Sequence, residues 1–187
     1  MPESAENYLF RSERLGFRNW NKNDLDAMTA INLDPRVMEF FPSTQNREQT
    51  TAFIERMQKS FREKNYCYYA VDEPGGELIG FIGFMDKDFV SDFTPAVDIG
   101  WRLSTAQWNK GYAFEGAKAC MNYGFETLGF EKIISLAPQI NERSEKIMKR
   151  LGMYKRGEFK HPELDAHPHL QPCVVYEQNL NEWKKTI

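Results

Sequence analysis

Apolar residues recur along this chain at two spacings, and the places where one gives way to the other mark out its elements. Phe114, Ala117, Cys120, Met121, Gly124 and Phe125 recur at three- and four-residue intervals, which predicts a helix with one buried face. Just before it, the run from Ala96 to Leu103 is apolar apart from polar positions such as Asp98 and Arg102, and it is short enough for a strand. The stretch from Ser104 to Leu128 therefore reads as a loop and a helix fed by that strand.

The same reading extends in both directions. Residues 8–20, with Leu15, Phe17 and Trp20, predict a first strand. Leu25, Met28, Ile31 and Asn32 then follow at helical spacing behind the capping side chains of Asn23, Asp24 and Asp26. Asp34-Pro35 stops that helix, and Val37 to Pro42 is an apolar segment ended by a second proline. A second helix is predicted from near Asn46, through Phe53, Ile54, Met57 and Phe61, to about Lys64. Residues 66–85 hold two aromatic and β-branched runs around Pro74-Gly75-Gly76, a hairpin signal. After the central helix come a strand over 131–137 that stops at Pro138, and a helix capped by Asn141 and ended by Gly152. Two strands follow, over 154–159 and 172–180. There is no internal repeat or linker, so residues 8–187 are expected to form one mixed α/β domain.

The loop before the central helix carries the first chemical signal. The opening amides of a helix have no intrahelical acceptor, and with the helix dipole they make a seat for an anion such as a pyrophosphate. Gly111 permits close approach there, and Lys110 supplies a mobile positive charge. The alternative is that Gly111 eases a tight turn and Lys110 is merely solvated. Gly75, Gly76, Gly80 and Gly83 do not make a dinucleotide fingerprint, because no Gly-x-Gly-x-x-Gly occurs and no helix follows them.

Composition narrows the classes. A chain of 187 residues with 41% apolar and 14% aromatic residues can fill one core. A formal charge of −3 argues against a nonspecific nucleic-acid binder. No apolar stretch approaches the ~20 residues of a membrane span. The opening residues are polar and acidic, unlike a secretory leader. Cys67, Cys120 and Cys173 are widely spaced and include no Cys-x-x-Cys pair, so neither a disulfide framework nor a zinc site is expected. These features suit a reducing, cytoplasmic setting. His161, His167 and His169 share a proline-broken loop whose spacing does not suit a metal site, and lining an acceptor mouth fits them better.

The segment Trp108-Asn109-Lys110-Gly111-Tyr112-Ala113, followed by Phe114-Glu115-Gly116-Ala117, resembles the acetyl-CoA pyrophosphate loop of the GNAT acetyltransferase superfamily. The branch it looks most like is that of the ribosomal-protein N-terminal acetyltransferases, which commonly carry Trp-Gly-Lys-Gly-Tyr-Ala. Asn109 stands where the first glycine is usual, and asparagine tolerates left-handed geometry better than most residues. Glu13-Arg14-Leu15, Arg18 and Asp24-Leu25 match the branch's opening. Asn141, Ser144 and Leu151-Gly152-Met153 match a later motif, so the resemblance runs from about Glu13 to Leu180.

The resemblance implies a GNAT-like fold, a central mixed and mostly antiparallel sheet of about seven strands with helices on both faces. It also implies acetyl-CoA as co-substrate, no metal, and an amine acceptor that is either a protein N-terminus or a small molecule. Carried over residue by residue, the cofactor contacts are Trp101, Arg102 and Leu103, the loop Trp108, Asn109, Lys110, Gly111, Tyr112 and Ala113, and Asn141. Phe40, Phe41 and His161 are the expected acceptor-side residues.

Acetyl transfer to an amine requires removal of a proton from the ammonium, donors for the oxyanion and departure of a thiolate. Asp98 sits where related proteins often have a glutamate acting as base or as anchor of a water relay; an ordinary strand carboxylate in a salt bridge is the other reading. Many superfamily members place a tyrosine seven residues after the motif's asparagine as the acid for the leaving thiolate. Here that position is Met148, which cannot donate a proton. Ser144 is the substitute considered, although helix capping explains it as well. Asn109 and Met148 also motivate a rival, a non-catalytic CoA-binding or regulatory module. A hydrolase built on Cys67 or Cys173 with a tail histidine is a third. The aromatic residues of the final strands make a homodimer one further option.

Overall fold

The computed structural model describes residues 8–186. Its strands form one eight-stranded sheet in the order β1-β2-β3-β4-β5-β6-β8-β7. They are β1 (Phe10–Arg11), β2 (Gly16–Arg18), β3 (Tyr68–Asp72), β4 (Leu78–Lys87), β5 (Ala96–Leu103), β6 (Lys132–Pro138), β7 (Tyr154–Lys160) and β8 (Pro172–Asn179). The helices are α1 (Asp24–Leu33), α2 (Arg47–Lys64), α3 (Tyr112–Glu126), α4 (Glu142–Arg150) and the short α5 (Leu180–Trp183). Every neighbouring pair of strands is antiparallel except β5 and β6.

Side-chain alternation assigns the helices to faces. Phe81 and Arg102 point to one face, where Phe81 packs on Phe53 of α2 and Arg102 donates to Asn32 of α1. Ile82 and Phe84 point to the other, against the glycines Gly116 and Gly124 of α3, where a Cβ would collide with them. Ile99 and Leu103 share the α3 face by the same alternation, and both are buried. The core continues through Leu15, Phe17, Tyr69, Cys120, Met121 and Ile133.

The predicted helices and strands are present, with local departures. The single strand expected over 8–20 is a hairpin, β1 and β2, because Ser12 turns the chain back. Its amide donates to Leu15 O at 2.9 Å, and the Leu15 amide donates to Ser12 Oγ at 3.0 Å. That hairpin raises the strand count from seven to eight. Asn23 makes no capping bond; instead Asp24, inside α1, accepts from the Asn21 amide and from Arg18. Asn46 does cap α2, in a reciprocal box with Gln49. No signal anticipated α5 or the 3₁₀ turns at Thr105–Gln107 and Pro162–Leu164.

Candidate active site

The sheet parts between β5 and β6. The two strands share a single bridge, Asp98 to Ile134. Beyond it side chains take over the pairing: Ser135 Oγ donates to Ile99 O at 3.0 Å, and the Leu136 amide donates to Asp98 Oδ1 at 3.2 Å. The peptide groups of β5 that point this way can be deduced from the register. Ser104 N donates to Ile79 O of β4, so hydrogen-bonded pairs with β4 recur at every second residue, including Arg102 and Gly100. Ile99, Trp101 and Leu103 therefore turn their peptide groups toward the parting. Of the three, Trp101 and Leu103 lie beyond the bridge to β6, and Leu103 O accepts from Trp108 Nε1 at 3.0 Å.

The loop that follows has two left-handed residues, Asn109 at φ 61° and Gly111 at φ 82°. Gly111 is the N-cap of α3, and its carbonyl receives the Glu115 amide at 3.0 Å. Among the described residues, the amides of Lys110, Gly111, Tyr112, Ala113 and Phe114 donate to no backbone or side-chain acceptor. Beside them runs an open groove of about 610 Å³, lined by Arg11, Arg14, Gly111, Lys118 and Arg150 among others. Arg14 is anchored by Glu115, at 2.6 Å, and donates to Lys110 O at 3.0 Å. Free amides at a helix N-terminus, beside a groove whose four cationic side chains outnumber the carboxylates of Glu115 and Glu126 in the same lining, suit a phosphate ligand.

On the α1/α2 face, Asp98 is 4% exposed. Its Oδ2 accepts from the Tyr68 hydroxyl at 2.8 Å and lies 4.0 Å from Lys87 Nζ. Burial pushes its carboxyl up from 3.8 to about 6, against the opposing pull of Lys87, Tyr68 and the Leu136 amide. Burial also raises the Tyr68 hydroxyl well above its ordinary value, with the Asp98 charge adding to it. Tyr68 stands on β3, two strands away, and reaches Asp98 across Gly83 and Gly100, which pair with each other on β4 and β5. A Cβ at Gly100 would lie 3.1–3.2 Å from the Tyr68 ring and hydroxyl, and one at Gly83 would run into the Cys67 carbonyl. These glycines form a lane for the tyrosine.

The expected site residues divide by location. Asp98, the backbone of Trp101 and Leu103, the loop 108–113, Asn141 and Ser144 border the parting or its open end. Asn141 Oδ1 caps α4 by accepting from the Ser144 amide at 3.1 Å, while the Ser144 hydroxyl makes no bond among the described residues. Arg143, next in the chain, stacks over Trp108 at 4.3 Å and Phe40 at 5.6 Å and donates to Glu39 Oε2 at 2.7 Å. It thereby links α4 to the loop and to the α1–α2 connection. Arg102 points its side chain into the α1/α2 face, under Phe41 at 4.2 Å. His161 stands in a separate aromatic cluster, 4.6 Å from Phe89 and 5.7 Å from Phe159, with Nδ1 accepting from the Glu163 amide; burial lowers its pKa. Met148 is 1% exposed and belongs to the core. Cys67, Cys120 and Cys173 are all buried, and burial raises every one of the thiols, which removes the basis for a thiolate nucleophile. Tyr68 was missed by sequence reasoning, because only the register of three strands shows that it meets Asp98. Arg143 was not singled out in the sequence, because its contacts with Trp108, Phe40 and Glu39 join segments distant along the chain.

Comparison with known proteins fits this geometry. The family described as acetyltransferase (GNAT) domain matches residues 14–154. The uncharacterized N-acetyltransferase YnaD of Bacillus subtilis (strain 168) is 31% identical over 80% of this chain and 84% of its own length. The uncharacterized protein YkkB of the same organism is 29% identical over 83% of this chain and 87% of its own. A crystal structure of a GNAT-family acetyltransferase from Bacillus anthracis superposes with a TM-score of 0.77 at 26% identity, covering 91% of this chain and 98% of that one. With a parted sheet, a loop of free amides and a family match over most of its length, the chain belongs to the GNAT acetyltransferase family and is an N-acetyltransferase.

Proposed function

We propose that the chain transfers the acetyl group of acetyl-CoA to a primary amine by direct attack within a ternary complex, with Asp98 as the terminal proton acceptor. The observation that carries this reading is the Tyr68–Asp98 pair beside the parting of β5 and β6. The Tyr68 hydroxyl donates to Asp98, so its oxygen lone pairs are free to accept from an incoming ammonium. A proton passed to Tyr68 Oη releases the original hydroxyl proton to Asp98 Oδ2. Asp98 is suited to this role because burial brings it to about 6, nearer to an amine than an ordinary carboxyl.

The co-substrate would be held by the free amides of residues 110–114 and the cationic groove beside them, with Asn141 along its path. The thioester supplies an activated acyl carbon; the chain supplies position and proton transfer. The backbone edge of Trp101 in the parting offers a donor for developing negative charge on oxygen. Ser144, whose hydroxyl is unengaged, is the group assigned to the departing sulfur.

Thiol release from acetyl-CoA, measured over peptides, polyamines, amino acids and aminoglycosides with cofactor binding followed in parallel, tests this reading. Release with one acceptor class supports it and names that class. Tight binding with no release on any acceptor contradicts it.

A further inference from the structure

Arg102 is 8% exposed, and among the described residues no carboxylate faces it. Its Nη1 donates to Asn32 Oδ1 at 2.8 Å, its planar faces meet Phe41 at 4.2 Å and Phe81 at 5.1 Å, and its Nε is buried without a partner. Nη2 likewise makes no hydrogen bond among the described residues. The other cation it feels is Arg56, of like sign. A guanidinium removed from water without a counterion costs a fold several kcal/mol, so a ligand of opposite charge is the natural complement.

The unpartnered atoms have a meaningful arrangement. Asn32 is itself held by Thr50, to whose Oγ1 its Nδ2 donates at 3.1 Å, and it occupies Nη1 only. What remains open is Nη2, with the unpartnered Nε buried behind it, and a charge-assisted bond from Nη2 suits a carboxylate oxygen. Arg102 lies four residues from Asp98 on the same face of β5, so their α-carbons are about 13 Å apart. Gly100 and the Tyr68 ring fill the interval. Phe81 bridges the two, stacking on Tyr68 at 4.8 Å and on Arg102.

We infer that the acceptor is an amine that also bears a carboxylate, with Arg102 binding the carboxylate while the amine faces Tyr68 and Asp98. This rests on the acetyl transfer proposed above and narrows its acceptor to free amino acids and short peptides with a free C-terminus.

The test compares kcat/KM for α-amino acids, dipeptides and tripeptides with that for their C-terminal amides, in the wild-type enzyme, Arg102→Met and Arg102→Lys. The wild type is expected to favour the acid over its amide by about 10- to 100-fold for at least one length, the value of a charge-assisted pair. The ratio is expected to fall to near one in Arg102→Met and to an intermediate value in Arg102→Lys, which keeps the charge without the guanidinium. Cooperative thermal unfolding of each variant establishes that it folds. Equal rates for acids and amides in the wild type, with thiol release otherwise normal, overturn the inference and leave the transferase intact. An acid preference that survives in Arg102→Met, whatever its melting temperature, overturns it too. If no acceptor releases thiol, calorimetry with N-acetylated amino acids and dipeptides in the presence of CoA still decides. Binding that depends on both the carboxylate and Arg102 supports the inference, and no binding by any of them overturns it.

Discussion

At the scale of single residues, the controlling fact is that one carboxylate is buried where a strand pair separates. Holding Asp98 ionised inside the fold opposes stability, because its carboxyl titrates near 6 instead of 3.8. The sign follows directly. Well below pH 3.8 the carboxyl is neutral in both states and costs nothing; as pH rises from 3.8 toward 6 the unfolded chain ionises while burial keeps the folded carboxyl protonated, so stability is lost across that window, and above 6 the cost is constant at about 3 kcal/mol. Asp98→Asn keeps an acceptor for the Leu136 amide and carries no charge. The variant is therefore expected to melt several degrees above the wild type at pH 8 and level with it near pH 2.5. Equal melting temperatures at both values would show that burial does not load this residue. A gain in stability on removing a functional group is the mark of a site held against folding preference.

How much of the site could be read from the sequence also differs residue by residue. Asp98 was legible as a polar break in an apolar strand, and Asn109 and Gly111 as residues suited to left-handed turns, which they occupy at φ 61° and 82°. Tyr68 was not legible, since its meeting with Asp98 depends on Gly83 and Gly100 pairing across strands. Arg102 looked like a cofactor contact at a strand end. Strand alternation instead turns its side chain to the α1/α2 face, and no one-dimensional pattern states which face a strand's polar residue will find.

At the scale of elements, the loop before α3 depends on backbone geometry more than on side chains. Asn109→Gly is expected to leave stability nearly unchanged, whereas Asn109→Val pays about 1–2 kcal/mol for its left-handed conformation. Gly111→Val pays a similar strain and places a branched side chain among the free amides. Its affinity for acetyl-CoA, followed by calorimetry, should fall at least tenfold. Unchanged affinity in Gly111→Val would mean that the amides of residues 110–114 do not hold the co-substrate. A second junction sits where β2, β3 and α1 meet. Arg18 binds Asp72 at 2.7 Å and Asp24 at 2.8 Å, with both carboxylates buried. Arg18→Met strands two buried acids and should cost roughly 3–5 kcal/mol, read as a shift in the denaturant midpoint. The helices themselves were legible from periodicity and caps, as the Asn46–Gln49 box shows. The β1–β2 hairpin was not, because its turn relies on Ser12, which also donates to Glu115 on α3, a contact distant in sequence.

At the scale of the whole molecule, a sheet that is antiparallel everywhere but at β5–β6 has one place where its strands separate. The loop and groove adjoin α3 on one face, while Tyr68, Asp98 and Arg102 lie on the other, and the parting joins them. Binding at such a junction should stabilise the whole fold: acetyl-CoA at a hundred times its dissociation constant is expected to add about 2.7 kcal/mol. A melting temperature that does not respond to millimolar acetyl-CoA would contradict that expectation. The order of elements made the fold class legible in advance, yet the pairing that creates the parting was not legible from the pattern, since periodicity does not encode strand neighbours.

The most direct test of the account is the pH dependence of amine-dependent thiol release, compared between the wild type and Asp98→Asn. The account predicts a wild-type kcat/KM with an acid limb near pH 6, and an Asp98→Asn variant that is folded, binds acetyl-CoA, has lost that limb and is about 10²–10⁴-fold slower. An Asp98→Asn enzyme with the wild-type rate and the same limb would contradict it.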